Sequence, residues 1–222
     1  YITYIFTMAG LGSNVLLPSS IGFIINVIMT IPAILFVDRW GRRPTLMIGG
    51  FLMMSILFTN SGLLAVYGRV PFPGEFPSAS ESISIIGKPA KAVIAFTYLF
   101  VAVYAPTWGP VSWIYPPELF PLHIRSKAVA FSTSMNWAFN FALAYFVPPA
   151  FENIRWKVYL LFGIFCAIMV LHVFFVFPET SRKPLEEVEA IFNNKDKASI
   201  RFIGTPAWKT GVERKNTRPN KE

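Results

Sequence analysis

The chain has 222 residues, of which 54% are hydrophobic and only 14% are charged, with a mean hydropathy of +0.49; soluble domains carry about a quarter charged residues, so a soluble globular class is set aside in favour of an integral membrane protein. The net charge of +8 does not point to nucleic acid, because ten of the twenty Lys and Arg lie in 178–222 beside seven Asp and Glu, and the others sit in short loops, as membrane-flanking bases do. The single cysteine, Cys166, excludes an intrachain disulfide and a cysteine metal cluster.

Five stretches hold no charged residue: 1–37, 44–68, 92–117, 128–151 and 158–178. A helix crosses the hydrocarbon core with about 20 apolar residues, so the last four predict one span each, over 44–67, 92–115, 128–150 and 157–177. The first predicts a partial helix over 1–10, a bend around 10–14 and a full span over 19–37. These runs are apolar throughout rather than alternating, which excludes a barrel. Tyr1 already lies in an apolar run, with no initiator Met or signal peptide before it, so the chain is expected to be a fragment or a processed product.

Orientation follows from the loops. Residues 38–43 carry three Arg and one Asp, a cytoplasmic composition. Alternation then puts 69–91 outside, 118–127 inside, 152–157 outside and the basic tail inside. The outer loop, with Pro71, Pro73, Gly74 and Pro77, reads as irregular surface. In the tail, 178–222, Leu185, Val188, Ile191 and Phe192 recur at helical spacing. That predicts a short amphipathic helix over 181–194 followed by disorder.

The densest chemistry lies in 104–127. Pro106, Gly109 and Pro110 predict a broken helix, and a charged turn follows with Glu118, His123, Arg125 and Lys127. The other charged loop on the same side reads Asp38-Arg39-Trp40-Gly41-Arg42-Arg43. Guanidinium forks bind carboxylates bidentately, and Gly41 permits the turn. The two loops are expected either to pair across helix ends, releasing in one conformation, or to act as topology anchors alone. Within the spans, Ser132, Asn136 and Asn140 stand four apart on one helix face, and Asn26 lies mid-span. Such polar side chains face the bundle or a cavity, as interhelical hydrogen bonds or as groups that hold a hydroxyl-rich ligand. No paired carboxylates, metal-ligand cluster or Ser/His/Asp set appears in the spans, so no enzyme, cofactor or metal is expected.

Four motifs stand in a familiar order: 38–43; the run 110–125, Pro-Val-Ser-Trp-Ile-Tyr-Pro-Pro-Glu-Leu-Phe-Pro-Leu-His-Ile-Arg; Asn136-Trp137 with Asn140; and Pro178-Glu179-Thr180 followed by Leu185-Glu186-Glu187. Together they resemble the C-terminal half of sugar porters of the major facilitator superfamily, from late in the seventh helix to the twelfth, and look most like fungal glucose and hexose transporters. The resemblance covers 1–192. It implies an all-α membrane protein, the six-helix C-terminal half of such a transporter with its first helix truncated. It also implies transport of a monosaccharide by alternating access, lost without the N-terminal half.

On the same footing, the residues matching Asn26, Trp113 and Asn140 contact the sugar, with Trp113 as an aromatic platform, and those matching Tyr104 and Asn136 lie at or near the site. Asp38, Arg39, Gly41, Arg42, Arg43, Glu118, Arg125 and Glu179 match the cytoplasmic latch. Tyr1 and Tyr4 match an extracellular gate, interfacial anchoring being the equal alternative. Ala105 departs from the pattern, many animal members having Glu there. Trp108, Trp137, His172 and Cys166 are expected to be packing residues. The implied partners are a monosaccharide, the bilayer and the missing half, with a plasma-membrane location and a cytoplasmic C-terminus. A sugar sensor of the same family and an inactive truncated bundle remain as other readings; the sensors carry very long tails, and the tail here is 45 residues.

Overall fold

A span in lipid must satisfy every backbone polar group from within, and the described residues are built from helices. A computed structural model describes residues 6, 16–68, 85, 87–120 and 122–177, leaving out the side chains of Phe36, Asp38 and Arg39. These residues form α1 (Leu16–Trp40), α2 (Arg42–Tyr67), α3 (Lys88–Tyr104), α4 (Trp108–Leu119), α5 (Leu122–Asn153) and α6 (Lys157–Val176). The partial helix over 1–10 is described only at Phe6, which is helical, fully buried and 5.4 Å from the Tyr98 ring of α3. The amphipathic tail helix and most of the 67–91 loop lie outside the described residues.

Among the described residues, four stretches are long and apolar enough to cross a membrane: Leu16–Leu35, Arg42–Tyr67, Lys88–Leu119 (α3 and α4 together) and Lys157–Val176. The helix expected over 128–150 forms within α5, but its Ser, Thr and Asn residues keep it out of that set. At 32 residues, α5 is roughly 48 Å long at a helical rise of 1.5 Å per residue. Hydroxyls inside the helices bond one turn back, as Ser55 does to Phe51 O (2.9 Å) and Thr97 to Val93 O (2.8 Å), which satisfies these donors within their own helix.

The turn between α1 and α2 is a single residue, Gly41, at φ 84° and ψ 148°. Residues with a Cβ avoid this region, and Gly41 is buried. Gly41→Ala is expected to destabilise the protein by about 2 kcal/mol, read as a lower unfolding temperature in detergent.

α2 and α6 run antiparallel and form the spine. Arg43, Gly50, Phe58 and Ser61 on α2 meet Phe174, Val170, Gly163 and Trp156 in reverse order. A Cβ on Gly163 would fall 2.7 Å from Phe58 Cε1, and one on Gly50 would fall 2.6 Å from Val170 Cγ2. Small residues let helices approach where no hydrophobic force drives them together. Gly163→Leu is therefore expected to part α2 from α6 and to lower the yield of folded protein, measured by monodispersity on size-exclusion chromatography.

Two apolar cores lie along this spine. One joins Leu64 of α2, Ile85 ahead of α3, Ala90 and Val93 of α3, Val147, Ala150 and Phe151 of α5, and Val158 and Tyr159 of α6. The other joins Val37 of α1, Leu46 of α2, Val111 and Tyr115 of α4, and Val173 of α6. α3 feeds the first core and α4 the second, so the break between them falls between the cores. α5 leaves both for most of its length: 130–132 and 134–142 are exposed.

Candidate functional site

The broken helix sets the site. α3 ends at Tyr104 because Pro106 has no N–H to continue the ladder. The chain turns through 105–107, with Thr107 N–H donating to Tyr104 O (3.2 Å), and α4 starts at Trp108. Gly109 and Pro110 do not share in the break as expected. They sit in the first turn of α4, where a missing N–H costs nothing. The helix also runs on past the expected end at 115, through Pro116 and Pro117, to Leu119. Those prolines cannot donate to the carbonyls of Ser112 and Trp113. Packing holds the turn instead, since Tyr115 is buried and stacks on Phe177 at 4.9 Å and 5°.

The charged end of α4 is fastened to the start of α2. Arg42 donates from Nη2 to Glu118 Oε1 (2.7 Å) and from Nε to Oε2 (3.2 Å), and its Nη1 donates to Val37 O (3.4 Å). This bidentate pair, with Arg42 only 8% exposed, joins three helix ends and carries out the expected pairing. Two other guanidiniums expected in the latch, Arg43 and Arg125, differ from expectation. Arg43 donates to Phe174 O at the end of α6 and lies over the Phe174 ring at 5.5 Å; a helix C-terminus with unmatched carbonyls is a natural partner for a cation. Arg125 Nε donates to Phe120 O (3.1 Å), and so closes the turn between α4 and α5. α5 starts at Leu122, so His123, Arg125 and Lys127 are in α5 rather than in a loop. Glu179, Tyr1 and Tyr4, and the side chains of Asp38 and Arg39, lie outside the described residues.

The expected ligand residues fall on four helices. Asn26 is half-buried midway along α1, and its carbonyl accepts from Thr30 Oγ1 (2.7 Å). Tyr104 ends α3, and Trp113 stands on α4 with 57% of its surface exposed. Asn136 and Asn140 are exposed one turn apart on α5, where Asn140 Nδ2 donates to Asn136 O (2.8 Å) and reaches Asn136 Oδ1 (3.4 Å). α4 packs against both α1 and α5, so the helix of Trp113 stands between that of Asn26 and that of the two other amides. Among the described residues no hydrogen bond or ring contact joins these three groups directly.

Two packing expectations are corrected. Trp137 is exposed, as is His172, which touches Phe177 edge-on at 5.6 Å rather than lying in the core. Cys166 is half-buried in α6. Trp108 does pack, and the indole N–H donates to Leu46 O of α2 (3.0 Å). Its neighbour Thr107 rests on Gly49. The adjacent glycines at 49 and 50 inside a span were the only sign of this contact in the sequence. The tie from Tyr98 Oη to Pro18 O (2.9 Å) left no such sign.

Residues 1–192 match the family described as "Sugar (and other) transporter". The chain is 46% identical to a high-affinity glucose transporter of Kluyveromyces lactis over 95% of this chain and 37% of that protein. It is 41% identical to the glucose transporter mfs1 of Aspergillus flavus over 97% of this chain and 39% of that protein. The fold matches the inward-open xylose transporter XylE of E. coli with a TM-score of 0.65 and 27% identity, over 86% of this chain and 40% of XylE. The chain thus spans well under half the length of these relatives. Its motifs, its membrane-length helices and these likenesses place it in one family: it belongs to the sugar porters of the major facilitator superfamily, as a multi-pass membrane protein that is not an enzyme.

Proposed function

We propose that the intact protein carries a hexose across the plasma membrane by alternating access, and that this chain is its C-terminal six-helix half with a cytoplasmic C-terminus. In that mechanism two halves rock about a site near the bilayer midplane. Asn26, Tyr104, Trp113, Asn136 and Asn140 handle the sugar, with Trp113 meeting its less polar face and the amides its hydroxyls. α5 crosses the membrane too, its exposed polar face lining the path with the missing half. Arg42, Arg43, Glu118 and Arg125 hold the cytoplasmic helix ends, with Asp38, Arg39 and Glu179 completing the latch.

The observation that carries this reading is the double character of α4. One end is clamped to α2 by the Arg42–Glu118 pair, while Trp113 on the same helix stays exposed. The clamp holds α4 in place while the exposed ring stays available to a ligand. The glucose-transporting relatives support the substrate class. The chain alone is expected to give no sugar uptake in cells lacking hexose transporters, because the missing half is needed to close the path. The full-length protein is expected to take up labelled glucose there, and the same assay with a protonophore separates coupled from facilitated transport.

A further inference from the structure

The α4 helix is fastened to α2 at both ends. At one end is the Arg42–Glu118 pair. At the other, Thr107 and Trp108 sit in a notch cut by Gly49 and Gly50. A Cβ on Gly49 would lie 2.5 Å from Thr107 Cβ and overlap its hydroxyl, and one on Gly50 would come within 3.6 Å of Trp108 Nε1. The Trp108 N–H is held by Leu46 O, one turn earlier on α2, while Thr107 Oγ1 donates to Val103 O (2.6 Å) and closes the last turn of α3. Thr107 therefore touches α2 and α3 at the break itself. Trp108 is half-buried with its donor engaged, so it does not itself offer a platform to a ligand.

We propose that the Gly49–Gly50 notch, with Thr107 and Trp108 seated in it, is a positioning device that sets where Trp113 presents its ring and so sets the apparent sugar affinity. This rests on the reading of Trp113 as the sugar platform. Four residues separate Trp108 from Trp113, and the turn after Trp113 lacks two ladder bonds because of Pro116 and Pro117. The start of α4 must then be fixed from outside the helix, and the notch is what fixes it. Small misplacements of a binding group cost affinity steeply, so the notch acts on Trp113 without touching sugar.

The test uses the full-length protein in transport-null cells. Gly49→Ala is expected to raise the KM for glucose about fivefold with Vmax per surface molecule little changed, the size of effect that losing one buried contact gives. Adding Thr107→Gly removes the three heavy atoms nearest the new Cβ, and is expected to restore KM. Trp108→Phe keeps a ring, loses the donor and adds no bulk; it is expected to raise KM about threefold, and it carries the test if Gly49→Ala does not fold. A readout that needs no transport is the maleimide-labelling rate of Trp113→Cys with the other cysteines replaced. Gly49→Ala is expected to change that rate, and Thr107→Gly to reverse the change. An unchanged labelling rate, or a fall in Vmax with KM unmoved, overturns the proposal. Labelling that responds as expected in a protein with no uptake would instead sink the transport reading and leave the positioning device standing.

Discussion

Trp113→Ala is expected to raise the KM of the full-length protein for glucose by about tenfold, the loss of an aromatic platform against one sugar face. The side chain belongs to neither apolar core and is more than half exposed. Its removal opens no cavity in this half, so surface abundance and thermal stability should stay near those of the parent. Trp113→Tyr keeps a flat ring with a polar tip and is expected to recover most of the affinity. If KM were unchanged in Trp113→Ala while uptake continued, Trp113 would not be the platform, and the site would have to be rebuilt around the amides of α1 and α5.

The second large effect is expected at the charged end. Glu118→Ala takes the bidentate Glu118 carboxylate away from Arg42, a residue only 8% exposed. Removing one partner of a buried pair costs about 3 kcal/mol; the pair's Glu118 side chain is 24% exposed, which places the cost at the low end. The loss should appear as altered sugar accumulation and inhibitor sidedness as well as lower stability, because the pair ties the end of α4 to the α1–α2 turn. Arg42→Glu combined with Glu118→Arg restores opposite charges and is expected to recover transport in part. Untouched transport in Glu118→Ala would remove the latch from the account and leave the break at Pro106 in place.

Much of this was legible in the residues. Pro106 marks the break because it takes a ladder bond from the interior of a helix, and Gly41 marks the one-residue turn because only glycine adopts that φ freely. The pairing of Arg42 with Glu118 follows from opposite charge on one membrane side. Arg43 and Arg125 were harder, because their acceptors are carbonyls at helix ends, and every residue carries a carbonyl. Pro116 and Pro117 looked like an end to α4, yet stacking of Tyr115 on Phe177 and the anchored Glu118 outweigh two lost bonds. Trp137 and His172 mislead for a different reason. In lipid an apolar or aromatic side chain is as content outside the bundle as inside, so hydrophobicity no longer reports burial. The notch at Gly49 shows only as a pair of small residues until Thr107 is seen to fill it.

Uptake of radiolabelled glucose by the full-length protein in cells without other hexose transporters tests the central claim most directly. The account predicts saturable uptake that competing hexoses inhibit and that Trp113→Ala weakens through KM. Absence of uptake for every hexose tried, with the protein present at the cell surface, would contradict it.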